Sequence, residues 1–175
     1  MRPIPWTFIC SRTRLSWGEV ALGYHNHWLI WSDVIEMACD SLLDGEEATA
    51  VVELAGLSKS DVSMVGELLD RLANNSTDED NIEAKAKWLY LQLAWLFENR
   101  LTIDDPLGEV EKIYADFDYP EDVASFVRYM PASDEYDPSM HSADENLLRL
   151  MTKWEGYLER CAIIFAVPSQ TALKP

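Results

Sequence analysis

Carboxylate side chains are the groups in this sequence that could do chemistry, and they are concentrated in one stretch. Between Asp104 and Glu145 the chain carries thirteen acidic residues, while Lys112 and Arg128 are the two basic ones. Paired carboxylates can act as general acid and general base, but so many pairs occur here that their spacing selects none. The same residues can attract a positively charged partner. We therefore predict binding rather than catalysis, and we assign no catalytic residue.

Two short segments suggest metal sites, and neither offers a complete set of ligands. His25 and His27 could both ligate a metal from one face of a strand, but no third ligand is evident nearby. We expect them to pack in a loop or at a helix end, with partner contact and metal binding as the alternatives. The acidic run 78–80 lacks the glycine turn and the distal glutamate of a calcium loop. We predict no metal and no cofactor.

The overall composition excludes some classes of partner. The 175 residues include 31 acidic and 14 basic ones, which gives a formal net charge of −17. Since proteins bind phosphates through Lys and Arg, we exclude nucleic acid as a direct ligand and expect a basic protein. With 48% hydrophobic residues, the chain is too apolar to be a disordered acidic tail. Three widely spaced cysteines are expected to be small buried residues: Cys10, Cys39 and Cys161.

The location predicted from the sequence is the cytoplasm. The first residues include two prolines and no apolar stretch typical of a signal peptide. The longest apolar run, Trp88–Phe97, is far shorter than the ~20 residues of a membrane-spanning helix. No linker is evident, so we predict a single domain over residues 1–175.

Helices are predicted almost throughout, and they must position the carboxylates. Ser16 with Glu19, and Ser142 with Glu145, have the spacing of capping boxes that begin helices. The longest predicted helix, about 78–100, is apolar on nearly every side in its second half, as is typical of a central helix. Trp6–Cys10 is the one strand candidate. We predict an all-α fold, a single-domain bundle of about seven to eight helices around this central apolar helix.

The acidic stretch is predicted to occupy two helices and a loop. Asp105 is the expected N-cap of one helix, with Pro106 at the first helical position. A second helix should begin at Tyr119-Pro120 and continue to about Met130, followed by an exposed loop over 131–140. The final helix carries a predicted apolar stripe at helical spacing: Leu147, Leu148, Met151, Trp154, Tyr157, Leu158, Cys161 and Ile164.

The first third of the chain resembles a family of bacterial helical domains of formally unknown function. Three segments carry the resemblance: Leu15–Glu19 with the sequence Leu-Ser-Trp-Gly-Glu, Trp28–Ala38, and Glu53–Leu57. Members of that family occur among the immunity proteins of polymorphic toxin systems, including contact-dependent growth inhibition. The resemblance implies a helical fold and a toxin partner, and it brings no catalytic motif. We interpret the Leu15–Glu19 motif as a signature of the fold, because its capping and aromatic residues explain it without a ligand.

Together, the resemblance and the charge predict an immunity protein that is not an enzyme. It would form a heterodimer with a cognate toxin domain, a basic nuclease for which an RNase is one option, and occlude its active-site cleft. The alternative is an acidic helical adaptor or structural subunit that binds a basic protein with no toxin involved. Trp17, Trp28 and Trp31 are either core residues or partner anchors. The predicted partner-binding residues are Asp104, Asp105, Glu109, Glu111, Asp116, Asp118, Glu121, Asp122, Asp134, Glu135 and Asp137.

Overall fold

The computed structural model describes residues 3–73, 78–132 and 134–166. Every regular element within these ranges is a helix, so the all-α prediction is confirmed. They contain nine α-helices, eight of which have seven residues or more. None of the helices in these ranges combines the length and the apolarity needed to cross a membrane. The chain divides into two compact units, and the boundary between Trp88 and Leu89 falls within one long helix, Asp78–Asn99.

The first unit, up to Trp88, consists of short helices. Its helices are α1 Trp6–Arg12, α2 Trp17–His25, α3 Trp31–Leu43, α4 Thr49–Ala55, the 3₁₀ helix Lys59–Met64, α5 Val65–Ala73 and the first half of α6 Asp78–Asn99. The main packing pairs are α2 with α5, α3 with α4, and α4 with α5. The side chains that lose all exposed surface in this core are Ile4, Ile9, Val20, Val34, Ala38, Val51, Leu54, Val65, Leu69 and Trp88.

The second unit, Leu89–Ala166, contains the acidic stretch. Its helices are the second half of α6, the 3₁₀ helix Arg100–Thr102, α7 Pro106–Asp116, α8 Glu121–Ala124, the 3₁₀ helix Pro138–Met140 and α9 Ala143–Ile164. Six consecutive residues of α6, 89–94, are buried, which confirms that this part of the helix is covered on nearly every side, whereas Glu98 near its end is exposed. Fully buried Trp154 stacks on Phe126 with ring centroids 6.3 Å apart and meets Phe97 edge-on at 5.0 Å.

Three predicted helix starts are confirmed by the local hydrogen bonds that cap them. Ser16 and Ser142 each form a complete capping box, in which the serine side chain accepts from the third amide of the helix and the glutamate accepts from the serine amide. The Asp105 carboxylate accepts a hydrogen bond from the Gly108 amide at 3.0 Å. The sequence also predicts a turn at 74–76 and a helix cap at Thr77, and both lie outside the described residues.

The strand prediction for Trp6–Cys10 is wrong, because this segment lies within α1. The amides of Phe8 and Ile9 both donate to the Pro5 carbonyl, which begins a helical turn. The Trp6 indole then donates to Asp40 at 2.9 Å. A short apolar run does not distinguish a strand from a buried helix by its period.

One other helix prediction was too long, and the predicted apolar stripe of the final helix is buried only in part. The helix expected from Tyr119 to Met130 is limited to α8, after which the amides of Phe126 and Val127 bond three residues back instead of four. The apolar stripe of α9 is buried in its middle, whereas Leu147 and Leu148 are 51% and 68% exposed. Spacing identifies the apolar face of a helix, but tertiary packing decides how much of that face is covered.

Trp88 is fixed against α2 by a hydrogen bond and by close packing. Its indole Nε1 donates to the Glu19 carbonyl at 2.8 Å, and its ring centroid is 5.4 Å from that of Trp28. A Cβ atom at Gly23 would lie 2.1 Å from Cζ2 of this indole. The indole can therefore pack this closely only because residue 23 has no side chain.

We expect Gly23→Ala to lower the free energy of unfolding by roughly 1–3 kcal/mol, because the indole must move to admit a methyl group. Urea denaturation followed by circular dichroism measures the change. Gly66→Ala in α5 is the matched control, since its Cβ would approach no atom closer than 3.7 Å. Alanine favours helix over glycine, so this control should be neutral or stabilising by up to ~1 kcal/mol. Equal urea midpoints for the two variants would contradict the packing argument.

Candidate protein-binding surface

Four of the eleven predicted partner-binding carboxylates are paired with bases of the second unit itself. Arg128 binds Asp105 through two nitrogens, at 3.0 and 2.9 Å, and binds Glu111 at 2.7 and 3.2 Å. Glu109 pairs with Lys112 at 2.6 Å along α7. These contacts neutralise much of the charge of α7.

Asp134 is the fourth paired carboxylate, and it joins the loop to α9. Arg149 and Lys153 reach its two oxygens at 2.5 and 2.7 Å. The Arg149 guanidinium also lies 4.1 Å above the Tyr136 ring. Asp137 has a local role, because its carboxylate accepts from the Ser139 amide at 2.9 Å and begins the 3₁₀ helix Pro138–Met140.

A second group of carboxylates surrounds the turn between α7 and α8. We call Asp116, Asp118, Glu121 and Asp122 the acidic turn; all four are exposed. Among the described residues, Asp116, Glu121 and Asp122 form no ion pair. Asp104 and Glu135 are exposed as well. The predicted residues therefore include four that are paired within the unit, two of which, Asp105 and Asp134, are still exposed.

The backbone of the acidic turn adopts an uncommon conformation. Asp118 and Tyr119 are consecutive residues with φ of 62° and 60°, in the left-handed region. For residues other than glycine this conformation costs free energy, about 1–2 kcal/mol each. Backbone bonds stabilise the turn, since the Asp118 and Tyr119 amides donate to Ala115 and Tyr114 at 3.2 and 2.9 Å.

Exposed tyrosines lie beside the acidic turn, and sequence reasoning missed them. Tyr119 and Tyr129 are 62% and 59% exposed, and both contact buried Tyr114, with ring centroids 5.3 and 6.4 Å away. Desolvation, together with the neighbouring tyrosines and Glu111, raises the pKa of Tyr129. Tyrosine is enriched among the residues that dominate binding energy at protein interfaces. No spacing rule identifies this cluster, because the turn brings the rings together.

The Leu15–Glu19 motif has a structural role in the first unit. The Glu19 carboxylate accepts from the Ser16 amide at 2.6 Å and forms a buried ion pair with Lys87. The Trp17 indole donates to Glu46 at 2.9 Å. These contacts give the polar groups of the motif a structural role, in capping α2 and in joining it to Glu46 and Lys87.

The histidines are placed as predicted, at a helix end and a turn. His25 is the last residue of α2 and contacts Asp70 at 2.8 Å, whereas His27 lies in a turn with φ of 60°. No group of three metal-ligating side chains occurs in the ranges that the structure describes. Of the tryptophans left open by the sequence, Trp28 is buried, and Trp17 and Trp31 are half-buried.

The expectation of buried cysteines holds for Cys161 and is wrong for Cys10 and Cys39, which are exposed. Helix periodicity places Cys10 and Cys39 beside apolar neighbours without burying them, since adjacent helical residues point in different directions. Desolvation and the nearby Asp40 and Glu36 raise the pKa of Cys10 to about 11. Because the thiolate is the nucleophilic form, this thiol is a poor nucleophile at neutral pH.

Comparison with known proteins identifies a family. A family profile described as "Uncharacterized protein conserved in bacteria (DUF2247)" matches residues 6–162. The match extends over the Leu15–Glu19 motif and over the whole acidic stretch. Searches of curated proteins and of solved structures found no significant match.

The Arg128 pairing predicts a measurable titration. Arg128 and the Gly108 amide lower the pKa of Asp105 below its ordinary 3.8. The contribution of this pair to stability is therefore present at neutral pH and is lost as the pH falls through the depressed pKa. We expect Arg128→Leu to raise the pKa of Asp105 toward 3.8 in a carboxyl ¹³C NMR titration. Asp61, whose pKa is lowered by Ser58, is the internal control and should not move. An unchanged Asp105 titration would show that the ion pair is absent in solution.

Proposed function

The chain belongs to the bacterial protein family DUF2247, and we propose that it is an immunity protein that binds and neutralises a cognate toxin domain. The toxin would be a nuclease, with an RNase as one option, and the complex would be a heterodimer in the cytoplasm. Inhibition would result from occlusion of the basic active-site cleft and would require no catalysis, metal or cofactor from this chain. The sequence resemblance described above and the charge of the second unit support the proposal.

The main structural support for the proposal is the acidic turn. Residues 113–127 contain four carboxylates and no lysine or arginine. All four side chains are exposed, and they lie beside the exposed rings of Tyr119 and Tyr129. Interfaces commonly combine aromatic anchors with charged residues at the rim. The acidic turn is thus suited to a positively charged protein surface.

A nuclease cleft is a surface of that kind. Nucleases bind the phosphates of their substrate with Lys and Arg, and a rigid set of carboxylates can occupy the same positions. Complementary charge accelerates the encounter of the two proteins, whereas desolvated anchors set the rate at which they separate. The internally paired carboxylates, such as Asp105 with Arg128, would contribute less because their charge is already balanced.

Co-expression tests the function directly. The probe is the carboxyl-terminal domain encoded by the reading frame directly upstream of the gene for this chain. We expect this chain to restore growth of cells that produce the domain and to co-purify with it. If the gene lacks such a neighbour, or if growth is not rescued, the toxin hypothesis fails and the acidic adaptor remains. Purified chain that converts a substrate unaided would exclude both binding hypotheses.

The acidic turn should control the rate of association with that toxin domain. A variant with Asp116→Asn, Asp118→Asn, Glu121→Gln and Asp122→Asn keeps the side-chain shapes and removes four negative charges. We expect its association rate constant to fall about tenfold at low ionic strength, and the salt dependence to weaken. Stopped-flow fluorescence at several salt concentrations measures both quantities.

A charge-matched variant separates the position of the charges from their number. Glu36, Glu47, Glu67 and Glu155 are exposed and lie outside the acidic turn. Changing all four to Gln removes the same charge and should reduce the association rate much less. If the association rate constant falls by the same factor in both variants, the net charge rather than the acidic turn steers the partner.

A further inference from the structure

The second unit contains an apolar pocket that the proposed function has not used. The pocket has a volume of about 340 Å³ and is open to solvent. It lies between the start of α7, the segment after α8 and the first turns of α9. Its apolar lining includes Leu107, Val127, Met130, Pro131, Leu147 and Leu150. Leu147 is 51% exposed at this site, so a large aliphatic side chain is left partly uncovered.

The arginine and asparagine side chains of the pocket lining are already bonded within the protein. Arg128 binds Asp105 and Glu111, and Arg149 binds Asp134. The Asn146 side chain accepts from the Tyr136 hydroxyl at 2.8 Å and donates to the Pro138 carbonyl at 3.0 Å. A ligand that needs new hydrogen bonds would have to break these. The pocket is therefore suited to an apolar group.

The rim of the pocket is acidic. Seven carboxylates are bonded to a lining residue or adjacent to one in the chain: Asp105, Glu111, Asp134, Glu135, Asp137, Asp144 and Glu145. Three bases lie among them: Arg128, Arg149 and Lys153. The excess of negative charge favours an apolar group that is flanked by positive charges, because like charges at the rim would repel.

We propose that this pocket receives one leucine-sized or aromatic side chain of the toxin, which the toxin presents between lysines or arginines. This inference rests on the proposed function and adds the anchor of the interface to it. An apolar side chain that fills a desolvated pocket determines the dissociation rate, whereas the acidic turn determines the association rate. The two surfaces are thus separable by kinetics.

Filling the pocket tests the proposal. Ala143 lines the pocket and is exposed, so Ala143→Trp can occupy the cavity without entering the core. We expect the dissociation rate constant of the complex with the upstream-encoded toxin domain to rise at least tenfold. The salt dependence of association should stay as in the wild type. Ala86→Trp, at an exposed position of α6, is the matched control and should leave both rates within twofold.

A second variant removes the lining instead of filling the space. Leu147→Ser takes away part of the pocket wall and should also raise the dissociation rate, whereas Leu43→Ser, at a leucine that is 86% exposed, should not. Circular dichroism and thermal unfolding check that each variant is folded. Folded Ala143→Trp and Leu147→Ser variants that dissociate like the wild type would overturn the pocket proposal and leave the immunity function standing. A wild-type chain that does not bind the toxin domain would overturn both.

Discussion

The buried indole of Trp88 is the group on which the first unit depends. It donates its hydrogen bond to the Glu19 carbonyl, and its ring fills the space above Gly23. Glu19 is bound from the other side as well, since its carboxylate accepts from the Ser16 amide and pairs with Lys87. Removing one partner of a buried ion pair leaves an uncompensated charge and costs about 3–5 kcal/mol. The Leu15–Glu19 motif is thus explained by the packing of α2 on the start of α6.

Several acidic residues of the second unit form ion pairs within it. Arg128, Arg149 and Lys153 form ion pairs with carboxylates, most clearly at Arg128, which binds both Asp105 and Glu111. These pairs join elements that are distant in sequence and reduce self-repulsion. Four further carboxylates lie at the acidic turn, where repulsion is tolerated because the side chains are exposed to water. A high net charge is therefore compatible with a folded unit that presents a local negative surface.

The conformation of the acidic turn bears on the proposed binding. Two successive residues in the left-handed region, Asp118 and Tyr119, reverse the chain and place an exposed tyrosine next to carboxylates. Such a conformation costs free energy and persists where the surrounding structure enforces it. Here the contacts with buried Tyr114 and the backbone bonds of the turn supply that constraint. A surface held in this way loses little conformational entropy on binding.

The sequence by itself determined the features that depend on neighbours within about one helical turn. The capping boxes at Ser16 and Ser142, the Asp105 cap and the buried half of α6 were all predictable, because a cap or a helical period is a local pattern. The net charge also follows directly from the sequence. The same local reasoning failed at Trp6–Cys10, where a short apolar run fits a strand or a helix equally well.

Only the tertiary structure decided which carboxylates are neutralised and where a cavity remains. Arg128 is 23 residues from Asp105 and 17 from Glu111, and Arg149 is 15 from Asp134, so no sequence rule pairs them. The pocket beside Leu147 exists because the packing around α9 covers Trp154 and stops short of its first turns. Long-range distances of this kind result from the packing of whole helices, and the order of residues does not record them.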